Sequence, residues 1–487
     1  MTAELARVGG VLGCAGLGLL LTAGRRDLRL VGLGLWGLGA MLLAAYLAPS
    51  GHHAVLAGGG VLLLVLAAAV AALFERWPWA LAFVTLACVP ARIDVKVGSE
   101  KASLLIPLYA VVLAAALGLG YRLVRGDRRL RELGPLSWPL AAFVAWSGLS
   151  LLWTDDLRQG SIELLFFFLP FGLLAIALAR LPWRRQAVKA TYGLLTLMAV
   201  AFALIGIYQW ANRDVFWNPK VIVANAYAPS GFFYRVNSVF YDPSIYGRFL
   251  VIAILASLVI LLGTRWPRLA IFMAAIIATV WAGLLFSFSQ SSFVALGVGV
   301  VAAAAFTWRW RAAAAVGLAG AVLVTVGFSA PQIRSSLLAQ SGSGLNRVSG
   351  SRFGLVKNGI KLWADHPILG AGIGSFKHAY GEKFHLHGKQ PKKAASHDTP
   401  VTVAAETGAP GLLLFAWLFV AALLAAWRGL TSSFASKVAL FAGIGFAAIA
   451  VHSLFYNAFL EDPMMWGLLG LIVLASAAAA KARGESS

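Results

Sequence analysis

Charge is what this 487-residue chain has least of. Asp, Glu, Lys and Arg make up 12% of it, about half the share of an ordinary soluble domain, so most of its surface faces something other than water. Cysteine is nearly absent too. Cys14 and Cys88 are the two, both inside apolar runs, which leaves neither a disulfide framework nor a cysteine zinc cage. Acidic residues number 19 against 40 Lys and Arg, a formal net charge of +21. In a soluble protein that surplus points to nucleic acid. In a chain that is 60% hydrophobic membrane topology accounts for it first, and no nucleic-acid partner is expected. No GxxxxGK[ST] phosphate loop occurs, and Gly370, Gly372 and Gly374 lack the spacing and preceding strand of a dinucleotide fold. Nucleotide-driven chemistry is without support.

What the chain has is long apolar runs. Stretches near the length that crosses about 30 Å of hydrocarbon recur at 8–23, 29–48, 54–74, 78–91, 103–121, 137–153, 161–180, 189–210, 244–263, 268–287, 290–307, 312–330, 409–428, 437–459 and 463–480. They predict an all-α polytopic membrane protein with about 12–15 transmembrane helices. The 78–91 stretch is short, carries Pro78 and ends at Pro90, so it reads as re-entrant. Basic residues collect on alternate connections: Arg25, Arg26 and Arg29; Arg122, Arg125, Arg128, Arg129 and Arg131; Arg180, Arg184, Arg185 and Lys189. Arg265, Arg268, Arg309, Arg311, Arg428, Lys437, Lys481 and Arg483 continue the pattern, and by the positive-inside rule these connections are cytoplasmic. Arg25 and Arg26 follow the first run instead of preceding it, the wrong polarity for a cleaved signal peptide, so that run is expected to be retained. The chain then divides into N-terminal transmembrane helices (1–188), a transmembrane core (189–330), a large extracytoplasmic loop (331–408) and C-terminal transmembrane helices (409–487).

Two long segments, 211–243 and 331–408, face outward in this scheme. The larger holds five of the eight histidines, ten Lys or Arg, and only Asp365, Glu382, Asp398 and Glu406 as acids. That surplus on the outer side suits an anionic ligand, with attraction to lipid headgroups as the plainer account. Phe353, Val356, Ile360 and Trp363 recur at helical spacing, predicting an amphipathic helix over 351–364 that lies on the membrane surface and begins near Arg352. In the stretch from Arg235 to Arg248, Pro243 suits a first helical turn and puts Arg248 about five residues inside a span. An arginine there is a functional hypothesis by default; snorkelling to the interface is the alternative. The run from Ser287 to Ser292 is a polar break that reads as an outer turn, where Ser289 and Gln290 either contact a ligand or cap a helix.

Together these sites resemble the O-antigen ligase and O-antigen polymerase family of membrane glycosyltransferases. The resemblance runs over about 200–475 and rests on four parts in order: the stretch Arg235–Leu250, the polar turn at Ser289, Trp363-Ala-Asp-His-Pro-Ile-Leu-Gly-Ala-Gly-Ile-Gly-Ser-Phe376, and Ser396-His-Asp-Thr-Pro-Val-Thr-Val-Ala-Ala-Glu-Thr-Gly-Ala-Pro-Gly411. The last is similar to the family's HN-x-[FY]-L followed by E-x-G-x-x-G. Three positions depart from the pattern. The usual Ser-Arg-Gly turn reads Ser289-Gln290-Ser291, the Asn after the histidine is Asp398, and Asn-Pro-Asn reads Asp242-Pro243-Ser244.

The resemblance implies a GT-C-like glycosyltransferase of the cytoplasmic (inner) membrane, with its active site on the extracytoplasmic face. Its expected partners are a polyprenyl-diphosphate-linked glycan donor, a lipid or glycan acceptor, and membrane lipids. Arginines neutralise the departing diphosphate, with Arg235 first, then Arg352 and Arg248. His397 is the expected general base, because an ordinary imidazole titrates near 6.5. Asp242, Ser289, Gln290 and Asp398 complete the expected substrate contacts. No cofactor or metal is expected: His385 and His387 lack a third and fourth ligand. A polymerase joining lipid-linked repeat units shares this chemistry and differs in acceptor. A lipid-glycan transporter or flippase would carry charges near the midplane of several spans, which are scarce here, and a non-catalytic assembly partner would need neither base nor clustered arginines.

Overall fold

The computed structural model describes residues 3–48, 53–97, 100–127, 132–216, 221–222, 225, 234–329, 352–385, 397–430 and 433–484. Sixteen α-helices are found among them. They are α1 (Ala3–Thr22), α2 (Arg26–Leu47), α3 (His53–Arg76), α4 (Ala80–Cys88), α5 (Ile106–Val124), α6 (Ser137–Ser150), α7 (Leu157–Ala179) and α8 (Arg185–Asn212). The remainder are α9 (Pro243–Gly263), α10 (Pro267–Ser287), α11 (Gln290–Ser329), α12 (Arg352–Asp365), α13 (Phe376–Lys383), α14 (Thr399–Arg428), α15 (Phe434–Ser453) and α16 (Pro463–Ala482). Among the described residues, eleven helices are long and apolar enough to cross a membrane, and the protein is a polytopic helical membrane protein. The predicted runs 54–74, 78–91 and 137–153 are also helical, as α3, α4 and α6, but stand outside the eleven. The runs 290–307 and 312–330 form one continuous helix, α11, of 40 residues. One small antiparallel hairpin, Ile93–Val97 with Glu100–Leu104, was not expected.

The chain folds as two units. The first comprises Met1–Arg184, Lys357–Ala439 and Asn457–Ser487. Here α1 and α2 cross with backbones in contact: a Cβ on Gly39 would lie 2.3 Å from the Gly13 nitrogen. Helices in lipid have little hydrophobic drive to associate, so small residues that permit close approach supply it. At one end of the unit, Arg29 and Arg180 both pair with Glu132, Arg180 also pairs with Asp127, and Arg122 holds Glu75 at 2.7 Å. Arg29 and Glu132 are buried, and multiple partners offset the desolvation that an isolated buried pair suffers. The start of α2 and the ends of α5 and α7 thus meet, gathering three of the predicted basic connections. At the other end of α7, a Cβ on Gly160 would lie 2.5 Å from the Ile373 carbonyl. With 23 residues, α7 is about 34 Å long at 1.5 Å per residue. The basic cluster and the folded part of 357–408 therefore occupy opposite ends of one membrane-length helix.

The second unit comprises Arg185–Val356 and Leu440–Tyr456. Its central helix is α9, buried along most of its length. Asp242 caps it, its Oδ1 accepting from the Ser244 N–H at 2.7 Å, and Pro243 opens the first turn as predicted. Arg248 is 4% exposed. It is packed inside the unit and does not snorkel along an open surface.

Candidate functional site

In the second unit, the segment that enters α9 is tied down residue by residue. Asn225 grips the Arg235 backbone from both sides, its Nδ2 donating to the Arg235 carbonyl at 2.9 Å and its Oδ1 accepting the Arg235 N–H at 3.0 Å. Val236 donates its N–H to the Phe286 carbonyl at 3.1 Å. Gln209, fully buried, exchanges two bonds with the backbone of Ser238, a residue in the left-handed region at φ 52°. The half-buried Arg235 side chain donates from Nε to the Ser287 carbonyl at 3.2 Å. Burial lowers the Arg235 pKa from its ordinary value, while Asp242 and Tyr456 act in the opposite sense. One of the five N–H groups of the guanidinium thus fixes its orientation.

The polar turn expected at Ser289 is present and tightly knit. Phe288 adopts φ 45°, a left-handed conformation that costs an L-residue about 1–2 kcal/mol. Around it the Ser289 hydroxyl meets those of Ser291 (3.1 Å) and Ser292 (2.8 Å), and Ser291 Oγ meets His452 Nε2 at 3.0 Å. All four side chains are buried, whereas Gln290 is exposed as the first residue of α11. His452 was not foreseen from the sequence: its partner is 161 residues away, and no local pattern marks it.

In the first unit, the two glycine-containing motifs are bonded to each other. Ala371 and Gly372 donate N–H groups to the carbonyls of Ala405 and Glu406 at 2.9 and 2.8 Å, and Ala409 donates to the Pro367 carbonyl at 2.8 Å. Glu406 Oε1 accepts the Phe376 N–H at 3.0 Å. Gly372 has φ 91°, and a Cβ there would lie 2.2 Å from the Thr154 Cα. The connection between α6 and α7 joins the assembly, with Thr154 donating to the Ile373 carbonyl at 2.7 Å and the Ser150 hydroxyl accepting the Ile373 N–H at 3.2 Å. The glycines that form no nucleotide loop serve close backbone contact.

His397 enters α14 on this platform. It is half-exposed with φ 54°, and Asp398 follows as N-cap, its Oδ1 accepting from the Val401 N–H at 3.0 Å. Burial raises the Asp398 carboxyl above its usual range, and that N–H lowers it in part. Thr399 donates to Asn457 Oδ1 at 2.9 Å. Both line a cavity of about 50 Å³ together with Glu163, Glu406 and Glu461. The sequence reading passed over Glu163 and Glu461. Their signal was available in principle, since a carboxylate within a span, as Glu163 is within α7, is a functional hypothesis by default.

The remaining predicted residues are more scattered. Arg352 opens α12, but its side chain, with Ser396, His387 and 331–351, lies outside the described residues. Of the stripe predicted for α12, Val356 and Trp363 are half-buried and Ile360 is 49% exposed, while Leu362 is buried on the side where Gly359 lets the helix approach Val401 and Phe376. His366, His378 and His385 are exposed, and His378 pairs with Glu382 at 3.3 Å. Arg235, Asp242, Arg248, Ser289 and Gln290 share the second unit, and His397 and Asp398 belong to the first.

Eleven apolar helices, a folded segment between spans and a buried serine-histidine cluster beside the half-buried Arg235 define a multi-pass membrane protein with polar chemistry built into it. Residues 275–416 match the family model described as O-Antigen ligase. That stretch is thus similar to an O-antigen ligase domain, in line with what the motifs led one to expect. The matched segment includes Ser289, Gln290, Arg352, His397 and Asp398, and leaves Arg235, Asp242, Arg248 and His452 outside it. No curated protein matches the chain.

Proposed function

We propose that the protein is an O-antigen ligase-like glycosyltransferase that moves a glycan from a polyprenyl diphosphate carrier to an acceptor hydroxyl on the outer face of the cytoplasmic membrane. Donors activated by nucleotide are confined to the cytoplasm, so a transfer outside it needs a substrate that carries its own leaving group. The observation that carries the reading is Arg235. Its guanidinium is half-buried and, among the described residues, steered by the bond from Nε to the Ser287 carbonyl, and its fork has the shape that takes two phosphate oxygens. In the reaction, the acceptor oxygen attacks the anomeric carbon and the bond to the diphosphate breaks, the electron pair leaving with the polyprenyl diphosphate. Arg235, with Arg352 and Arg248 as further cations, stabilises the charge that grows on the departing oxygen. His397 takes the proton of the acceptor hydroxyl. A single displacement inverts the anomeric centre and requires no metal. The placement of the basic cluster and the folded loop at opposite ends of α7 supports the outward orientation when read with the positive-inside rule.

The test is transfer by purified protein from a defined lipid-linked donor, with donor binding measured beside it. Loss of a general base lowers rate by about 100- to 10,000-fold, so His397→Ala is expected to abolish transfer and leave donor binding intact. Normal turnover by His397→Ala, or arrest of the wild type by chelator, overturns the metal-free single displacement.

A further inference from the structure

The second unit contains a buried histidine that the proposed reaction does not yet use. His452 sits in the last turn of α15, and its Nε2 lies 3.0 Å from Ser291 Oγ. From there an unbroken path of bonds leads to Arg235. Ser291 Oγ meets Ser289 Oγ at 3.1 Å, the Ser289 N–H donates to Ser287 Oγ at 3.2 Å, and the Ser287 carbonyl accepts from Arg235 Nε at 3.2 Å. Four residues beyond His452 and past the end of α15, Tyr456 packs its ring against the imidazole with centroids 5.8 Å apart and is close enough to Arg235 to act on its charge. The same short stretch of chain thus reaches the guanidinium's surroundings by two routes.

The turn on this path needs support. Phe288 is left-handed without being glycine, a conformation that persists only where its surroundings over-determine it. Ser287, Ser289, Ser291 and Ser292 supply bonds from within the turn, but these move with it. Among the described residues, the contact of the Ser291 hydroxyl with His452 ties the cluster to a helix distant in sequence. An apolar residue at 452 would fill the space without holding the turn. Relaxation of Phe288 would then shift the Ser287 carbonyl, which orients the arginine fork.

We propose that His452 is a positioning residue for Arg235, bracing the Ser287–Ser292 turn so that the guanidinium is held ready for the diphosphate of a lipid-linked donor. The proposal rests on the donor assignment made above. It makes the histidine a determinant of donor affinity with no direct contact to substrate.

The experiment measures binding of a short-chain polyprenyl diphosphate to the full-length protein in detergent, with melting temperature as a check on folding. His452→Leu is expected to weaken binding about tenfold or more, the effect of a misplaced charge-assisted bond. His452→Gln, whose amide reaches toward Ser291 from a similar position, is expected to restore most of it. In an Arg235→Ala background, His452→Leu is expected to add no further loss, since the group it positions is gone. A wild type that does not bind the lipid diphosphate refutes the donor assignment itself. Binding by the wild type with unchanged affinity in folded His452→Leu, or a His452→Leu loss that persists undiminished without Arg235, overturns the positioning role alone. Should His452→Leu fail to fold, Ser291→Ala cuts the same path, and unchanged affinity in that variant overturns the proposal equally.

Discussion

Replacing Arg235 with lysine keeps the positive charge and removes the fork. In the structure the guanidinium is steered by the Nε bond to the Ser287 carbonyl, and a lysine has no equivalent donor partway along its chain. Two things are lost together: that orienting bond, and the second of two parallel bonds to a diphosphate. The first, from the guanidinium to a neutral carbonyl, contributes at least about 0.5–1.5 kcal/mol, and the second, between two charged groups, about 1.5–3. Taken near the middle of these ranges, the loss is about 3 kcal/mol, roughly 150-fold at 1.4 kcal/mol per tenfold. Arg235→Lys is therefore expected to lower kcat/KM for a lipid-diphosphate donor by about two orders of magnitude. Transfer from a defined donor by protein purified in detergent measures it. If Arg235→Lys stays within about fivefold of wild type while remaining folded, the arginine is generic surface charge and the fork argument fails.

Further expectations concern topology and the platform beneath His397. A single cysteine at position 390, on a background without Cys14 and Cys88, should react with an impermeant thiol reagent in intact cells, and one at position 130 should not; the reverse result inverts the orientation and removes the donor argument. Gly372→Ala should disrupt folding, since its Cβ would lie 2.2 Å from the Thr154 Cα at φ 91°. Both backbone clash and dihedral are unfavourable, and a melting temperature within a few degrees of wild type would contradict the close contact. Asp398 is a carboxyl raised by burial, so the folded state holds its proton more firmly than the unfolded chain. Its contribution to stability is present at acid pH and declines as pH rises through the folded-state pKa. Asp398→Asn, which keeps the capping oxygen without charge, should be at least as stable as wild type at neutral pH and lose that advantage on acidification. Thermal melts across pH decide it, and an advantage that grows toward acid pH refutes the sign.

The helical plan was legible because hydropathy over twenty residues is a local property, and caps are local too. Pro243 marked the start of α9 from adjacent residues alone, whereas Asp242 was read as a substrate contact and is the cap of that helix. Where the reading failed, the deciding contact was long-range. The stripe through Ile360 left out Leu362, which is buried on the side where Gly359 lets α12 approach Val401 and Phe376. The glycines at 370, 372 and 374 could be excluded as a nucleotide loop, yet nothing near them announced Thr154 and Gly160 as neighbours. The Ile93–Val97 strand alternates apolar and polar residues, a period-two signal too short to stand out between long apolar runs. His452 was invisible for the same reason as the glycine contacts: its role depends on Ser291, which only the folded chain brings near.

The bonding between the two glycine motifs also bears on how His397 should be interrogated. Pairing of 371–372 with 405–406, and of 409 with 367, fixes the first turns of α14, and the chain enters that helix through His397 at φ 54°. Two accounts of the residue then compete. Histidine is among the residues found more often than most in the left-handed region, so it could occupy position 397 for the backbone alone. A catalytic histidine would instead retain its imidazole at the cost of the strain. Alanine cannot separate these accounts, because it removes the ring and keeps the strain. Glycine can: it adopts φ 54° at no steric cost, so His397→Gly should be about 1 kcal/mol more stable than His397→Ala, visible as a higher melting temperature. If the imidazole is the base, His397→Gly remains as inactive in glycan transfer as His397→Ala despite that gain. If activity returns with glycine, position 397 serves the geometry of the turn, and the proton must be taken by another group.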